Sequence, residues 1–207
     1  YAIPHASAAY LAKQILLAQG VSIPYVTTLH GTDITLVGKE PEFEPTISFA
    51  INQSDVVTAV SDSLRKDTYS HFNVTKDILV VPNFVCVEKF SGEPKDCKKA
   101  TFAPNGEQIL MHISNFRKVK RIQDIIKIHS RVSKTIDTRL ILIGDGPERS
   151  SMERLAREEG VEDTTYFLGK IKETERALCA ADVYLMTSET ESFGVSALEA
   201  MAAKVPV

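Results

Sequence analysis

The chain has 207 residues, 43% hydrophobic and 25% charged, with a formal net charge of −3. That is globular composition with room for one large domain or two smaller ones. The slightly acidic balance speaks against nucleic acid or an anionic membrane as partner, and no apolar run approaches the roughly 20 residues of a spanning helix.

In chain order, residues 6–19 set Tyr10, Leu11, Ile15 and Leu16 at helical spacing and stop at Gly20. Residues 25–29 read as a strand that delivers His30, Gly31, Thr32 and Asp33 at its end. Pro41 and Pro45 break the chain before a short helix to about Asn52. Residues 56–60 are the next strand, Ser61 caps a helix, and residues 78–81 form a further strand. Gly92, Pro94, the Lys-rich residues 95–99, Pro104 and Gly106 mark a linker, dividing 1–90 from 91–207. A second series follows: strand 109–113, helix 122–132, strand 139–143, a helix opened by Pro147 and closed by Gly160, strand 166–168, helix 173–181 and strand 183–186. Strands alternating with helices predict parallel sheets with covered faces, hence two α/β units. Tyr1 is not an initiator residue, and Val205, Pro206 and Val207 read as the start of another strand. Both units are therefore expected to be incomplete parts of a longer protein. No signal peptide is visible. Cys86, Cys97 and Cys179 form no C-x-x-C pair and leave one odd, so free thiols and a cytoplasmic location are expected.

The chemistry concentrates beyond strand ends, where open α/β sheets collect ligands. After strand 183–186 come Glu191, Ser192, Phe193, Gly194 and Val195, then a helix carrying Glu199. The N–H groups at such a helix start favour phosphate, and the flanking carboxylates suit sugar hydroxyls, which together suggest a nucleotide-sugar. Solvated glutamates on a strand–loop–helix are the competing reading. The loop Ser114–Arg121 offers Asn115, the planar fork of Arg117 and the compact charge of Lys120 to a diphosphate; a solvated basic turn is the alternative. His30 sits at a strand end before a glycine, a placement that suits a functional histidine. His5 is a weaker candidate, and His71, His112 and His129 read as surface or packed residues. Gly144, Asp145, Gly146 and Pro147 lack the third glycine of a dinucleotide fingerprint, and read either as a tight turn with Pro at the first helical position or as a wall of the donor pocket. Residues 167–170 are a weak candidate for meeting a base.

Glu191 and Glu199, spaced E-x7-E with Ser192, Phe193 and Gly194 between and Ala200, Met201 and Ala202 after, resemble the signature of the retaining family 4 glycosyltransferases. Residues 1–6, 27–35, 54–61, 113–121 and 144–148 stand in the family's order. They resemble most the members that move GlcNAc from UDP-GlcNAc to the hydroxyl of L-malate, the first step of bacillithiol biosynthesis. The resemblance implies two Rossmann-like domains in a GT-B architecture, the first on the acceptor and the second on the donor. It places Asn115, Arg117 and Lys120 at the donor diphosphate and Gly144 in the donor pocket. Glu199 falls on the ribose hydroxyls, Glu191 and His30 at the donor sugar, and the backbone of Ser192, Phe193, Gly194 and Val195 near the phosphates. Tyr1, Thr27 and Thr28 face malate. His30, Glu191, Arg117 and Lys120 form the catalytic set, with His30 acting by positioning and electrostatics. Without a D-x-D motif, fixed cations would stabilise the departing UDP, so no metal or other cofactor is expected. The partners are small molecules rather than nucleic acid or membrane, with a second copy of the chain left open.

Three positions depart from the resemblance. Lys204 stands where the family has Gly, Ser48 where malate-acting members carry Arg, and the family's glycine-rich first loop would precede Tyr1. The 207-residue piece is accordingly expected to be inactive by itself. Competing functions are a family 4 transferase with a lipid, polyol or sugar-phosphate acceptor, a nucleotide-sugar epimerase, and a non-catalytic nucleotide-sugar-binding protein.

Overall fold

A computed structural model describes residues 1–35, 40–91, 97 and 99–207. They form two compact units, Tyr1–Asn83 with Glu191–Phe193, and Phe84–Thr190 with Gly194–Val207. Gly92, Pro94, Lys95 and Lys98 of the expected linker lie outside the described residues. The first unit ends ahead of the expected 90/91 division because Phe90 is buried in the core of the second.

In the first unit an irregular turn over Ala2–Ala6 leads into α1 (Ser7–Ala18). Then follow β1 (Val26–Leu29), α2 (Thr32–Thr35), α3 (Glu44–Asn52), β2 (Val56–Ala59), α4 (Asp62–His71) and β3 (Ile78–Val80). The sheet is parallel in the order β1-β2-β3, with Val26 opposite Val56 and Val57 opposite Ile78. Side chains alternate across a strand, so Leu29, Val57 and Ala59 turn together onto Ile47, Ile51 and Leu64 of the helices. Ser61 caps α4 as expected, its hydroxyl accepting from the Leu64 N–H at 3.2 Å.

The second unit begins with α5 (Val87–Ser91) and α6 (Lys99–Phe102), helical turns where sequence suggested a plain linker. It continues with β4 (Gln108–Ile113), a 3-10 turn at Lys118–Lys120, α7 (Ile122–Val132), β5 (Thr138–Ile143) and α8 (Arg149–Glu158). A second 3-10 turn at Glu162–Thr164 is followed by β6 (Thr165–Gly169), α9 (Thr174–Leu178), β7 (Val183–Tyr184) and α10 (Val195–Ala202). The sheet is parallel in the order β6-β5-β4-β7. Period-two alternation gives it a core on each face: Ile109, Met111, Ile141 and Ile143 join α5, α9 and α10, while Leu110, Leu140 and Leu142 join α7 and α8.

Three expectations need correction. β7 is only Val183–Tyr184, although the Leu185 N–H still donates to the Met111 carbonyl at 2.8 Å. Glu148 caps α8, so Pro147 lies just outside the helix instead of opening it. Cys97 and Cys179 are joined in a disulfide, with Cα atoms 5.9 Å apart and 82 residues of separation, and Cys86 alone is free and exposed. Free thiols were expected because sequence spacing carries no trace of a bridge that long-range folding creates. Among the described residues no helix is long and apolar enough to cross a membrane.

Candidate functional site

In the second unit the parallel strands present their C-terminal ends on one edge. β4 runs out at Ile113 into the loop that carries the cationic candidates. Phe116 in this loop is fully buried and meets the Phe167 ring edge-on, with centroids 6.4 Å apart. Its N–H donates to the Asp145 carbonyl and its carbonyl accepts from the Glu148 N–H, both at 3.0 Å. The glycines of the neighbouring turn make room for this backbone. Gly144 has φ +131°, and a Cβ there would stand 1.8 Å from the Ser114 carbonyl oxygen; one at Gly146 would stand 2.5 Å from that of Phe116. Gly144 therefore serves by letting the loop close down. The Gly-Asp-Gly spacing was the sequence signal; that Phe116 is the anchor it accommodates was missed.

With Phe116 turned inward, Asn115 and Arg117 stand exposed and Lys120 is half-buried. Arg121 is left-handed at φ 50° and gives its guanidinium to Asp124 at 2.6 Å, which holds its pKa above the ordinary value. Both arginines of the loop are exposed, but Arg121 is engaged by Asp124. The Thr187 hydroxyl donates to the carbonyls of Lys120 (3.0 Å) and Arg121 (3.1 Å), and the Glu189 N–H donates to Val119 at 2.9 Å. The segment after β7 is thereby stitched to the cationic turn. Beneath them His112, 1% exposed, bridges the Leu185 carbonyl (2.8 Å) and the Ser114 hydroxyl (2.7 Å), the packed role expected of it.

Gly194, left-handed at φ +84°, caps α10 at its start; a Cβ there would sit 3.1 Å from the Met186 methyl. Val195 follows, exposed, and Glu199 lies half-buried one turn further on. Burial raises the Glu199 pKa above its ordinary value; Lys89 pulls it back, Glu175 pushes it up, and the Thr174 hydroxyl lowers it.

In the first unit His30 is exposed at the end of β1. The Tyr1 ring lies near two imidazoles, with centroids 5.3 Å from His30 and 5.5 Å from His5. Tyr1, Pro4, His5, Thr32, Phe43 and Thr46 line a cavity of about 670 Å³. The Tyr1 nitrogen donates to the Thr28 carbonyl at 3.1 Å, and the Thr28 hydroxyl accepts from Thr58 at 2.9 Å. Thr27 turns inward, buried, its hydroxyl 2.7 Å from that of Ser54. Glu191 is half-buried, Phe193 packs on the unit's core, and Ser192 lies against Gly31. A Cβ at Gly31 (φ +121°) would stand 1.7 Å from the Ser192 hydroxyl oxygen, so this position needs glycine for both backbone and space. Ser48 is buried, donating to Glu44 at 2.6 Å and accepting from the Asn73 N–H at 3.0 Å, and so supplies no charge to a carboxylate.

Residues 95–207 match the family described as glycosyl transferases group 1, and residues 1–89 match glycosyltransferase family 4. The chain belongs to the group 1 glycosyltransferases. This glycosyltransferase sequence is 46% identical over 207 residues to N-acetyl-alpha-D-glucosaminyl L-malate synthase of Bacillus anthracis, covering 100% of the chain and 54% of that relative. It is 28% identical over 166 residues to alpha-monoglucosyldiacylglycerol synthase of Streptococcus pneumoniae, covering 76% of the chain and 37% of that relative. Among solved structures, Anabaena HepE in complex with UDP and glucose matches with TM-score 0.83 at 19% identity, over 98% of this chain and 55% of that one. WaaG, a glycosyltransferase involved in lipopolysaccharide biosynthesis, matches with TM-score 0.74 at 15% identity, over 95% and 61%. The architecture is that of the GT-B glycosyltransferases, and the chain spans about half the length of the Bacillus anthracis relative.

Proposed function

We propose that the full-length protein transfers GlcNAc from UDP-GlcNAc to the hydroxyl of L-malate with retention at the anomeric carbon, the opening step of bacillithiol biosynthesis. The observation that carries this reading is the 46% identity to the Bacillus anthracis synthase across all 207 residues. The donor-side geometry is consistent with it. Arg117 and Lys120, on a loop braced from beneath by Phe116, suit a diphosphate, with Asn115 beside them. Glu199 suits the ribose hydroxyls, and the N–H groups from Ser192 to Val195 suit phosphate oxygens.

In the reaction the malate hydroxyl oxygen bonds to the anomeric carbon as the bond from that carbon to UDP breaks. The hydroxyl proton passes to the leaving phosphate oxygen on the same face. No side chain is then a conventional general base. Glu191 and His30 orient the donor sugar, and the two cations stabilise the negative charge of departing UDP without a metal. Tyr1 and the Thr28 strand end bear on the acceptor, with Thr27 supporting them from inside.

Ser48 favours a second reading. Its hydroxyl is bound to Glu44 and Asn73, where an arginine would offer malate a carboxylate partner. A family 4 transferase using UDP-GlcNAc on another hydroxylated acceptor meets that observation. The test is mass-spectrometric product analysis of the full-length protein with UDP-GlcNAc and a panel of hydroxy acids, with and without EDTA. GlcNAc-malate formed equally in EDTA is the expected result. UDP release without a malate adduct would discard malate, and activity abolished by EDTA would discard metal independence.

A further inference from the structure

The cavity of about 670 Å³ in the first unit has a single chargeable cation on its wall. Pro4 and Phe43 make part of that wall apolar, and Thr32 and Thr46 bring hydroxyls to it. Among its described lining residues His5 alone can carry a positive charge. The His5 ring is exposed, with its centroid 5.5 Å from that of Tyr1. Tyr1 in turn lies 5.3 Å from the His30 ring, and its nitrogen donates to the Thr28 carbonyl at 3.1 Å. The cavity thus adjoins the C-terminal end of β1, where sheets of this kind collect ligands.

A dicarboxylate brought to this unit needs a cation, because a carboxylate stripped of water without a partner is costly. Ser48 supplies none, its hydroxyl being engaged by Glu44 and the Asn73 N–H. On the elements packed against the turn over Ala2–Ala6, the other described charges are engaged or negative. Lys13 of α1 is bound to Asp55 at 2.6 Å, Glu44 of α3 accepts from Ser48, and Glu40 and Glu42 stand exposed just before α3. β1 carries no charged side chain ahead of His30. Resting on the reading of L-malate as acceptor, we propose that His5 is a specificity-determining residue: as imidazolium it binds an acceptor carboxylate in this cavity. Beside apolar walls one such charge acts more strongly than in open water. Arg117 and Lys120 of the second unit are then left to the diphosphate.

The experiment is the pH dependence of KM for L-malate in the full-length protein for wild type, His5→Gln and His5→Lys, with KM for UDP-GlcNAc measured beside it. In wild type the malate KM should rise about five- to tenfold from pH 6 to pH 8.5, a range in which imidazoles lose their proton. His30 is also an imidazole, so the variants carry the test. His5→Gln should show the raised malate KM already at pH 6 and lie within about twofold of wild type at pH 8.5. His5→Lys, charged throughout, should keep the malate KM low at both. KM for UDP-GlcNAc and the thermal midpoint stay close to wild type. A malate KM at pH 6 that His5→Gln leaves unchanged overturns the proposal while the malate reading stands. So does a rise equally large at pH 8.5, or one that His5→Lys fails to relieve, since the shape of the ring rather than its charge is then what counts. If wild type forms no GlcNAc-malate at either pH, the malate reading fails and takes the proposal with it.

Discussion

The two ends of the second unit's sheet are built on opposite plans. At the C-terminal end, where the candidate site lies, many of the locks are main-chain bonds, with the Thr187 hydroxyl and His112 added to them. Phe116 exchanges main-chain hydrogen bonds with Asp145 and Glu148, Glu189 bonds to Val119, and glycines at 144 and 146 admit the close approach. At the N-terminal end side chains hold the structure. Glu107 binds Arg139 and the Asn105 N–H, Asp182 binds Lys99 and the Ile109 N–H, and His129 lies between Thr138 and Thr164. Backbone locks leave side chains such as Asn115 and Arg117 available to a ligand; side-chain locks engage theirs in stability. Function and folding are thereby separated along a single sheet.

The sharpest way to break this contrast is Gly144→Ala. A methyl group 1.8 Å from the Ser114 carbonyl, at a φ that L residues avoid, must push the cationic loop away. The variant should lose about 3 kcal/mol of stability and at least ~100-fold in kcat/KM. A thermal midpoint and rate near wild type would mean that the loop is not seated on this turn. Arg117→Ala should separate the two properties. It is expected to lower kcat/KM by about 100- to 1,000-fold while changing stability by less than about 0.5 kcal/mol. Arg117→Lys should fall between, because a point charge cannot reproduce a planar fork. Steady-state kinetics beside a thermal melt reads both, and a large stability loss in Arg117→Ala would contradict the plan.

Much of the fold was legible because its signals are local. Near-continuous apolar runs in 109–113 and 140–143 specify two-faced burial, helix 122–132 falls at Ile122–Val132, and Ser61 is the cap it looked to be. What escaped needed tertiary context. Phe116 looks like one more loop aromatic until Phe167 and two glycines are brought under it. Thr27 and Thr28 read alike, yet strand alternation buries the first against Ser54 and leaves the second half-exposed. The Cys97–Cys179 bond and the grouping of Glu191–Phe193 with residues 1–83 depend on contacts between distant stretches of chain, which no local pattern encodes.

The side-chain plan of the opposite end predicts acid sensitivity. Burial, with help from the Arg139 charge, lowers the His129 pKa from 6.5 to about 4. Above pH 6.5 the imidazole is neutral whether the chain is folded or not, so its contribution is fully present. As pH falls toward 4 the unfolded chain takes up a proton that the folded one refuses, and up to about 3 kcal/mol is lost. Glu107 extends the trend. Its own N–H, that of Asn105 and the Arg139 guanidinium outweigh burial and lower its pKa from 4.5 to about 2. Its stabilisation is therefore complete above 4.5 and fades as pH drops toward 2. Urea titrations at pH 7, 5.5, 4 and 3 should show a continuous decline, shallower between 7 and 4 in His129→Gln. A flat profile from 7 to 4 would place His129 in contact with water.

The smallest effect should come where α10 ends, at Lys204. The Val205 N–H returns to the Ala200 carbonyl and the Lys204 N–H to Met201, both at 2.9 Å, with Val205 buried behind them. That pattern asks for a left-handed residue at position 204, and Lys204 provides it at φ 62°, with its side chain exposed. Lys204→Gly removes the strain of a Cβ in that region but gives the unfolded chain more freedom, so the net gain should be about 1 kcal/mol or less. Donor KM should not change, since the residue lies at the end of α10 away from Gly194. A shift in KM with this substitution would show that strain at the far end of the helix is felt at Glu199, and the separation between the two ends would then be incomplete.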